Sequence, residues 1–510
     1  MAWLSALLLL CTVIRDVHAN DYPFPQDPKA LHEVFQVDMR APDRYPSSCA
    51  KLLWGEPRND QTNVFGQRPL YNPRKEFYDR DENMLNHMWF QAYSMLNVAR
   101  AAIWPGTYAV PQIYSLVYSF FGLWPNLEAA DKEPVDDDKT LLDQLRARYA
   151  GVQQLMERSQ PDGRNKPKLF CGGAYWEIQF PDAPARQRDG SVIKDRHGNV
   201  VTLRDWEWQH HREYHRSWYL WYDIEYPSGS EKGYIVLNKE DYPADPASAP
   251  YPWPRASNGQ PDFCFQGMYA QVLHPTTPAN RQGTGAWQAA DHVILCPKSF
   301  NYKTNINDLD RIAPQDEGTN GAGGTHIDLM GVPGITILHE LHHVAYRDNS
   351  DDAWPWFPKR NPDDQITGVI SKDFPAKKSG FSEARVHHAA EGPTQSMSIA
   401  LYEVAEPLTH GNAIESVFAP ESAAWFARAI DLTMRTRQDW STGICRPITT
   451  NPLQGNTASI VEKCLTEAGA KHFYNGNLRS NISFAKAGHG IQDPWEVPVC
   501  DFIRAVMASS

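Results

Sequence analysis

Residues 334–349 read GITILHELHHVAYRDN, and within them His339 and His343 stand four places apart with Glu340 directly after the first. On a helix, residues four apart share a face one turn up, about 6 Å along the axis, so two such imidazoles can converge on one ion. Two neutral imidazole nitrogens suit Zn2+, which in hydrolytic sites keeps three protein ligands and one open water position. A zinc ion held this way lowers the pKa of water from about 15.7 to about 7 and polarises a carbonyl. An adjacent carboxylate can take the water proton and pass it to the leaving amine. In a chain with 18 histidines among 510 residues, an accidental His-Glu-x-x-His arises on the order of a few hundredths of a time. The spacing therefore predicts His339 and His343 as metal ligands, Glu340 as general base, and one Zn2+ as cofactor.

A third ligand has to come from downstream. Asp373, Glu383, His387, Glu391 and Glu403 all carry suitable donors, and spacing does not choose among them. His342 lies about 100° round the helix from His343, which predicts a supporting or surface position rather than a share of the ion. His211 and His215 are also four apart, but in aromatic, strand-like sequence, where that spacing separates side chains by about 13 Å. They are not expected to bind metal. His387 and His388 read as cover for a helix surface.

The elements that must hold these residues follow from periodicity. Ile335, Ile337, Leu338, Leu341 and Val344 surround the histidines with apolar side chains, and Pro333 suits a first helical turn. Residues 316–325, DEGTNGAGGT, form a Gly-rich lead-in. Three- and four-residue apolar spacing predicts helices over 82–102 and 139–159, and again near ESAAWFARAIDLTMRTR at 421–437. FSEARVHHAAE and TQSMSIALYEVAE read as two more helices, separated at Gly392-Pro393. Between Lys168 and Asn238 the texture turns to Trp, Tyr, Phe, Val and Ile segments, broken by Asp-Gly and Gly-Asn turn signals in RDGSVIKDRHGN. RSWYLWYDIEYP and KGYIVLNKEDYP read as neighbouring strands, and HVILCPKSF at 292–300 as one more short buried strand or the lead into a helix.

The hydrophobic content of 42% supports a substantial core, and the net charge of −12 arises from 61 acidic and 49 basic residues. No long basic stretch could track a phosphate backbone, which argues against a nucleic-acid partner. The first residues, MAWLSALLLLCTVIRDVHA, carry an apolar run too short to span a bilayer, followed by small residues at Val17 and Ala19. They read as a cleaved secretion signal, with no membrane association after cleavage. Secretion permits disulfides, and loss of Cys11 leaves Cys49, Cys171, Cys264, Cys296, Cys445, Cys464 and Cys500. That number is odd, so one thiol stays free or pairs with another chain, and local pairing is expected within the late trio. Asn481-Ile482-Ser483 is an N-glycosylation sequon. Nothing in the sequence specifies an oligomeric state.

HVILCPKSF, followed after a Gly-rich stretch by GITILHELHHV, resembles fungal secreted metallopeptidases of the aspzincin, deuterolysin-like or lysine-specific metallo-endopeptidase type. SFFG at 119–122, Cys49 and SGFSEARVHHAAEGPTQSMSIALYEVAE fit the same order more loosely, so the resemblance spans about residues 45 to 410. It implies an α+β, zincin-like metallopeptidase domain with an active-site helix, a helical lead-in and a β-hairpin-rich middle section. The resemblance also implies an aspartate as third zinc ligand shortly before a Tyr-Gly pair, and Asp373, ahead of Ser379-Gly380, is the counterpart it points to. Glu383 on a following helix is the alternative ligand. The expected organisation is a signal peptide over 1–19, an irregular lead-in or pro-segment over 20–80, the peptidase domain over 81–410 and a cysteine-bearing extension over 411–510. The implied function is a secreted zinc endopeptidase acting on peptide or protein substrates. Ser379 replaces the family's tyrosine and the Asp373–Gly380 segment is longer than usual. On those grounds the alternative is a catalytically impaired, metallopeptidase-like binding protein.

Overall fold

The computed structural model describes residues 28–39, 49–50, 52, 84–123, 125–160, 166–173, 177–187, 189–206, 217–226, 229–238, 264, 269–273, 276–277, 287–288, 290–300, 325, 327–346, 357–360, 366–370, 393, 396–397, 400, 415–441, 443 and 445–448. The chain divides into two units that alternate along the sequence. One comprises Met1–Asp27, Phe90–Glu157 and Tyr302–Ser510, and the other Pro28–Trp89 and Arg158–Asn301. Helices together with small sheets of mixed parallel and antiparallel pairing make the class α+β, as the sequence predicts.

The helices, in chain order, are α1 (Leu31–Val34), α2 (Met84–Ala102), α3 (Pro111–Phe121), α4 (Asp136–Glu157), α5 (Pro333–Tyr346), α6 (Glu415–Phe418) and α7 (Pro420–Thr436). Each of α3 and α7 opens with proline at its first position, where the missing N–H costs no hydrogen bond. Gly122 ends α3 in the left-handed region at φ 69°, its N–H bonded to the Tyr118 carbonyl, and Arg437 ends α7 at φ 55° in the same way. Among the described residues, no helix is long and apolar enough to cross a membrane.

In the helical unit α5 packs between α4 and α7, and α7 also packs on α3. Phe120 and Phe121 of α3 meet Phe426 of α7, their ring centroids 6.2 and 5.2 Å from it, and Tyr149 of α4 reaches the same ring at 6.2 Å. Tyr149 donates its hydroxyl proton to the Ala423 carbonyl at 2.6 Å, and Ser119 donates to the Ser441 carbonyl at 2.6 Å. Gly151 of α4 is where Tyr346, the last residue of α5, comes close: a Cβ there would collide with the tyrosine hydroxyl. Tyr346 donates its hydroxyl proton to the carbonyls of Ala147 and Arg148, 2.7 and 2.9 Å away. The Arg148 guanidinium lies over the Tyr346 ring at 4.5 Å and the Phe418 ring at 5.2 Å.

The other unit is built on sheets. A four-stranded sheet runs β1 (Gln36–Val37), β2 (Lys168–Phe170), β9 (His292–Leu295), β6 (Ala270–Leu273), with β1–β2 and β2–β9 parallel and β9–β6 antiparallel. A five-stranded sheet has the order β3 (Glu177–Gln179), β4 (Ser217–Tyr226), β5 (Gly229–Asn238), β7 (Thr276–Thr277), β8 (Trp287–Gln288). The predicted neighbours β4 and β5 pair antiparallel over ten residues, from Ser217 opposite Asn238 to Tyr226 opposite Gly229. Tyr219 and Trp221 face a core with Trp206, Tyr234 and Leu203. Tyr222 points to the opposite side, crosses the bare Cα of Gly233, and meets the His292 ring edge-on at 4.7 Å. The Asp-Gly and Gly-Asn turns form as expected, with Gly190 and Gly198 at φ 85° and 86° between short antiparallel bridges.

Disulfides join Cys49 to Cys171 and Cys264 to Cys296. Cys445 is a buried free thiol, so it does not take part in the local pairing expected of the late trio. Cys464, Cys500 and the sequon at Asn481 lie outside the described residues.

Candidate metal centre

Helix α5 is covered almost all round. Ile335, Thr336, Ile337, Leu338, Glu340, Leu341, His342 and Val344 are buried, and the His339 and His343 strip is where solvent reaches its middle. Its start is fixed from several directions. The Gly334 N–H, which has no helical partner in the first turn, donates to the Gln91 side chain of α2 at 3.1 Å. The segment ahead of it is a 3-10 turn, η2 (Ile327–Met330), following η1 (Pro297–Phe300) in the chain. The Met330 carbonyl accepts from Arg428 of α7 at 2.8 Å, and residues 325 and 327 exchange backbone hydrogen bonds of 2.8 Å with 445 and 443. Arg428 is itself tied to Asp431 at 2.6 Å, so α7 carries a paired, buried cation that holds the entry to α5.

The predicted ligand pair converges. The Nε2 atoms of His339 and His343 are 3.2 Å apart, with ring centroids 5.0 Å apart. Glu340 turns a carboxylate oxygen to within 3.9 Å of His339 Nε2, and its side chain is only 4% exposed. Ligand atoms of His339, Glu340 and His343 all lie within 4.8 Å of one another, so the three form a group able to hold a metal ion.

The far side of His339 shows a residue that the sequence reading missed. His339 Nδ1 is 2.8 Å from Oε2 of Glu421, in the first turn of α7, and the other oxygen of that carboxylate accepts from Trp425 Nε1 at 2.9 Å. A carboxylate oxygen accepts here with Nδ1 as the donor, and in a neutral ring Nε2 of His339 then carries the lone pair. His343 Nε2 faces that lone pair at 3.2 Å. Two imidazole nitrogens facing each other at this distance can share a proton or a cation. Two nitrogens at that separation and about 2.05 Å from one ion subtend about 100°, close to a tetrahedral angle. The donor set and its spacing therefore suit a metal ion.

His342 does not join the group. It is fully buried, with its ring edge-on to Tyr149 at 5.5 Å, and neither ring nitrogen has a hydrogen-bond partner. Burial, followed by the nearby Arg148 charge, holds its imidazole well below the ordinary pKa range and therefore neutral. The supporting or surface place expected of it becomes a core place, because α5 has no outer face at that angle.

Asp373, Glu383, His387, Glu391, Glu403, His211 and His215 lie outside the described residues, as does His388. Of the helix expected after Gly392-Pro393, Ser396, Met397 and Ala400 are described, each helical and buried. Glu421 had no sequence signal as a site residue. It was legible as a first-turn acid of a predicted helix, and its partner lies 82 residues upstream. Comparison with protein families, with curated proteins and with solved structures finds no match for this chain.

Proposed function

We propose that this chain is a secreted, zinc-dependent endopeptidase of the aspzincin or deuterolysin-like kind, hydrolysing peptide bonds of peptide or protein substrates. The observation that carries the reading is the pair of Nε2 atoms 3.2 Å apart with the Glu340 carboxylate beside them, on a helix that is otherwise mostly buried.

His339 and His343 would hold the ion, with Asp373 as the proposed third ligand and Glu383 as its rival. Bound there, zinc supplies a Lewis acid that polarises a carbonyl and acidifies water. Glu340 accepts a proton from the attacking water and returns it to the departing amine, a task that its place next to His339 allows without movement of the helix. Burial of the carboxylate's surroundings keeps it directed at that space rather than hydrated elsewhere. Trp425 and Glu421 hold His339 in one orientation. The buried face of α5 fixes the positions of all three side chains, which suits a site whose groups must stay within a fraction of an ångström. The N-terminal apolar run and two disulfides support an oxidising, extracellular setting.

Elemental analysis combined with a peptide-cleavage assay tests the proposal. One equivalent of zinc is expected in both the wild type and Glu340→Gln, with hydrolysis reduced about 100- to 10 000-fold in the variant. Zinc without turnover in either protein would favour the metal-binding, catalytically impaired alternative. Absence of zinc would remove both readings.

A further inference from the structure

The contact between α5 and α7 at His339 has more structure than packing requires. Both oxygens of Glu421 are engaged, one by the His339 ring and the other by the Trp425 indole, and its side chain is 15% exposed, as is that of His339. The tryptophan sits one turn further along α7, so the helix carries both the carboxylate and the group that aims it. A hydrogen bond that involves an ionised acceptor is roughly twice as strong as a neutral one, so this contact can dictate the state of the ring it touches.

We infer that Glu421, aimed by Trp425, is a positioning residue of the metal centre: it locks His339 as the Nδ1–H tautomer and so presents the Nε2 lone pair to the ion. This rests on the metal-binding reading above and deepens it, since it assigns the outer support of one ligand to a helix more than 80 residues downstream. Glu421 is not itself placed as a ligand. Its oxygen meets Nδ1, while the facing pair of nitrogens is Nε2 to Nε2, on the opposite edge of the imidazole. A carboxylate behind a metal-bound histidine raises the ligand's basicity and fixes its rotation, and loss of such a partner typically weakens metal affinity about 10- to 100-fold.

The test uses the full chain in two states. In the metal-free protein, long-range proton–nitrogen NMR of 15N-histidine-labelled material reads the His339 tautomer directly. The wild type is expected to show a protonated Nδ1 and a bare Nε2 at His339, Glu421→Ala a mixture of tautomers, and Glu421→Gln recovery of the Nδ1–H form through its amide oxygen. In the metal-loaded state, competition with a chromophoric zinc chelator is expected to show affinity reduced about 10- to 100-fold in Glu421→Ala and by less in Glu421→Gln and Trp425→Phe. The visible spectrum of the cobalt-substituted protein should keep its coordination number in every variant.

An unchanged tautomer in Glu421→Ala, or zinc affinity within twofold of the wild type, overturns the inference. So does a lower coordination number in the cobalt spectrum of Glu421→Gln, which would make Glu421 a direct ligand. If Glu421→Ala does not fold, Glu421→Gln and Trp425→Phe carry the comparison by affinity and spectrum. Failure of the wild type to bind zinc sinks the peptidase reading instead, and the metal-free tautomer measurement still decides what Glu421 does to His339.

Discussion

At the scale of residues, three adjacent or near-adjacent histidines on one helix have different fates because of what stands around them. His339 and His343 share the strip that solvent reaches, whereas His342 is sealed against Tyr149. This separates the proposed metal binding from packing in a direct comparison. His343→Ala is expected to abolish stoichiometric zinc, while His342→Phe should keep it, with stability changed by less than about 1.5 kcal/mol because an aromatic ring of similar shape replaces one whose nitrogens make no hydrogen bonds. Zinc content and thermal unfolding of the two variants check this, and loss of metal in His342→Phe would contradict it. The sequence made the His339, Glu340 and His343 group legible because a short-range pattern carries it: spacing along one helix needs no tertiary knowledge. Glu421 was not legible for the converse reason. Its identity as a partner depends on how α7 lies on α5, and a first-turn glutamate on its own reads as a capping charge.

Among the elements, the buried helix α5 and the strands β4 and β5 were readable from composition and period, with helix ends within a few residues of the expected ones. What period could not supply was which faces meet. An amphipathic reading leaves α5 an outer face, yet α4 and α7 cover it from two sides. The α4 contact depends on one missing side chain, at Gly151, whose Cβ would collide with the Tyr346 hydroxyl. Gly151→Ala should therefore displace Tyr346 and cost about 1 to 2 kcal/mol, overpacking outweighing the better helix propensity of alanine. In a Tyr346→Ala background the same change should stabilise by up to about 1 kcal/mol, since only the propensity gain is left. A double-mutant cycle by urea unfolding measures the coupling, and additivity of the two changes would show that the close approach carries no energetic weight.

For the whole molecule, the sheet unit has a built-in sensitivity to acid. His292 of β9 is fully buried between the rings of Phe170 and Tyr222, and lies opposite Lys168 in the parallel ladder. Burial first, and then the lysine charge, hold its imidazole well below the ordinary range. The unfolded chain takes up that proton near pH 6.5, while the folded chain resists it. Stability from this residue is thus complete above about pH 6.5 and drains away as the pH falls toward the depressed folded value, at up to about 1.4 kcal/mol per pH unit. Urea unfolding at about pH 7.5 and about pH 5.5 should show a loss about 1 kcal/mol smaller in His292→Leu than in the wild type, and equal slopes would refute the assignment. Opposing this, the Cys49–Cys171 crosslink closes a sequence separation of 122 residues, and on a chain-entropy account it contributes about 4 to 5 kcal/mol.

The alternation of the two units along the chain governs the order in which a ribosome can finish them. All of the sheet unit has been synthesised once residue 301 has emerged, whereas at that moment the helical unit consists of residues 90–157 and a short N-terminal stretch. Helices α3 and α4 are by then synthesised, whereas α7, whose Glu421 meets His339, is made more than a hundred residues later. On the metal-binding proposal, capture of the ion would follow late in this chain's maturation, and a product ending before α7 would carry both histidines without the carboxylate that meets His339.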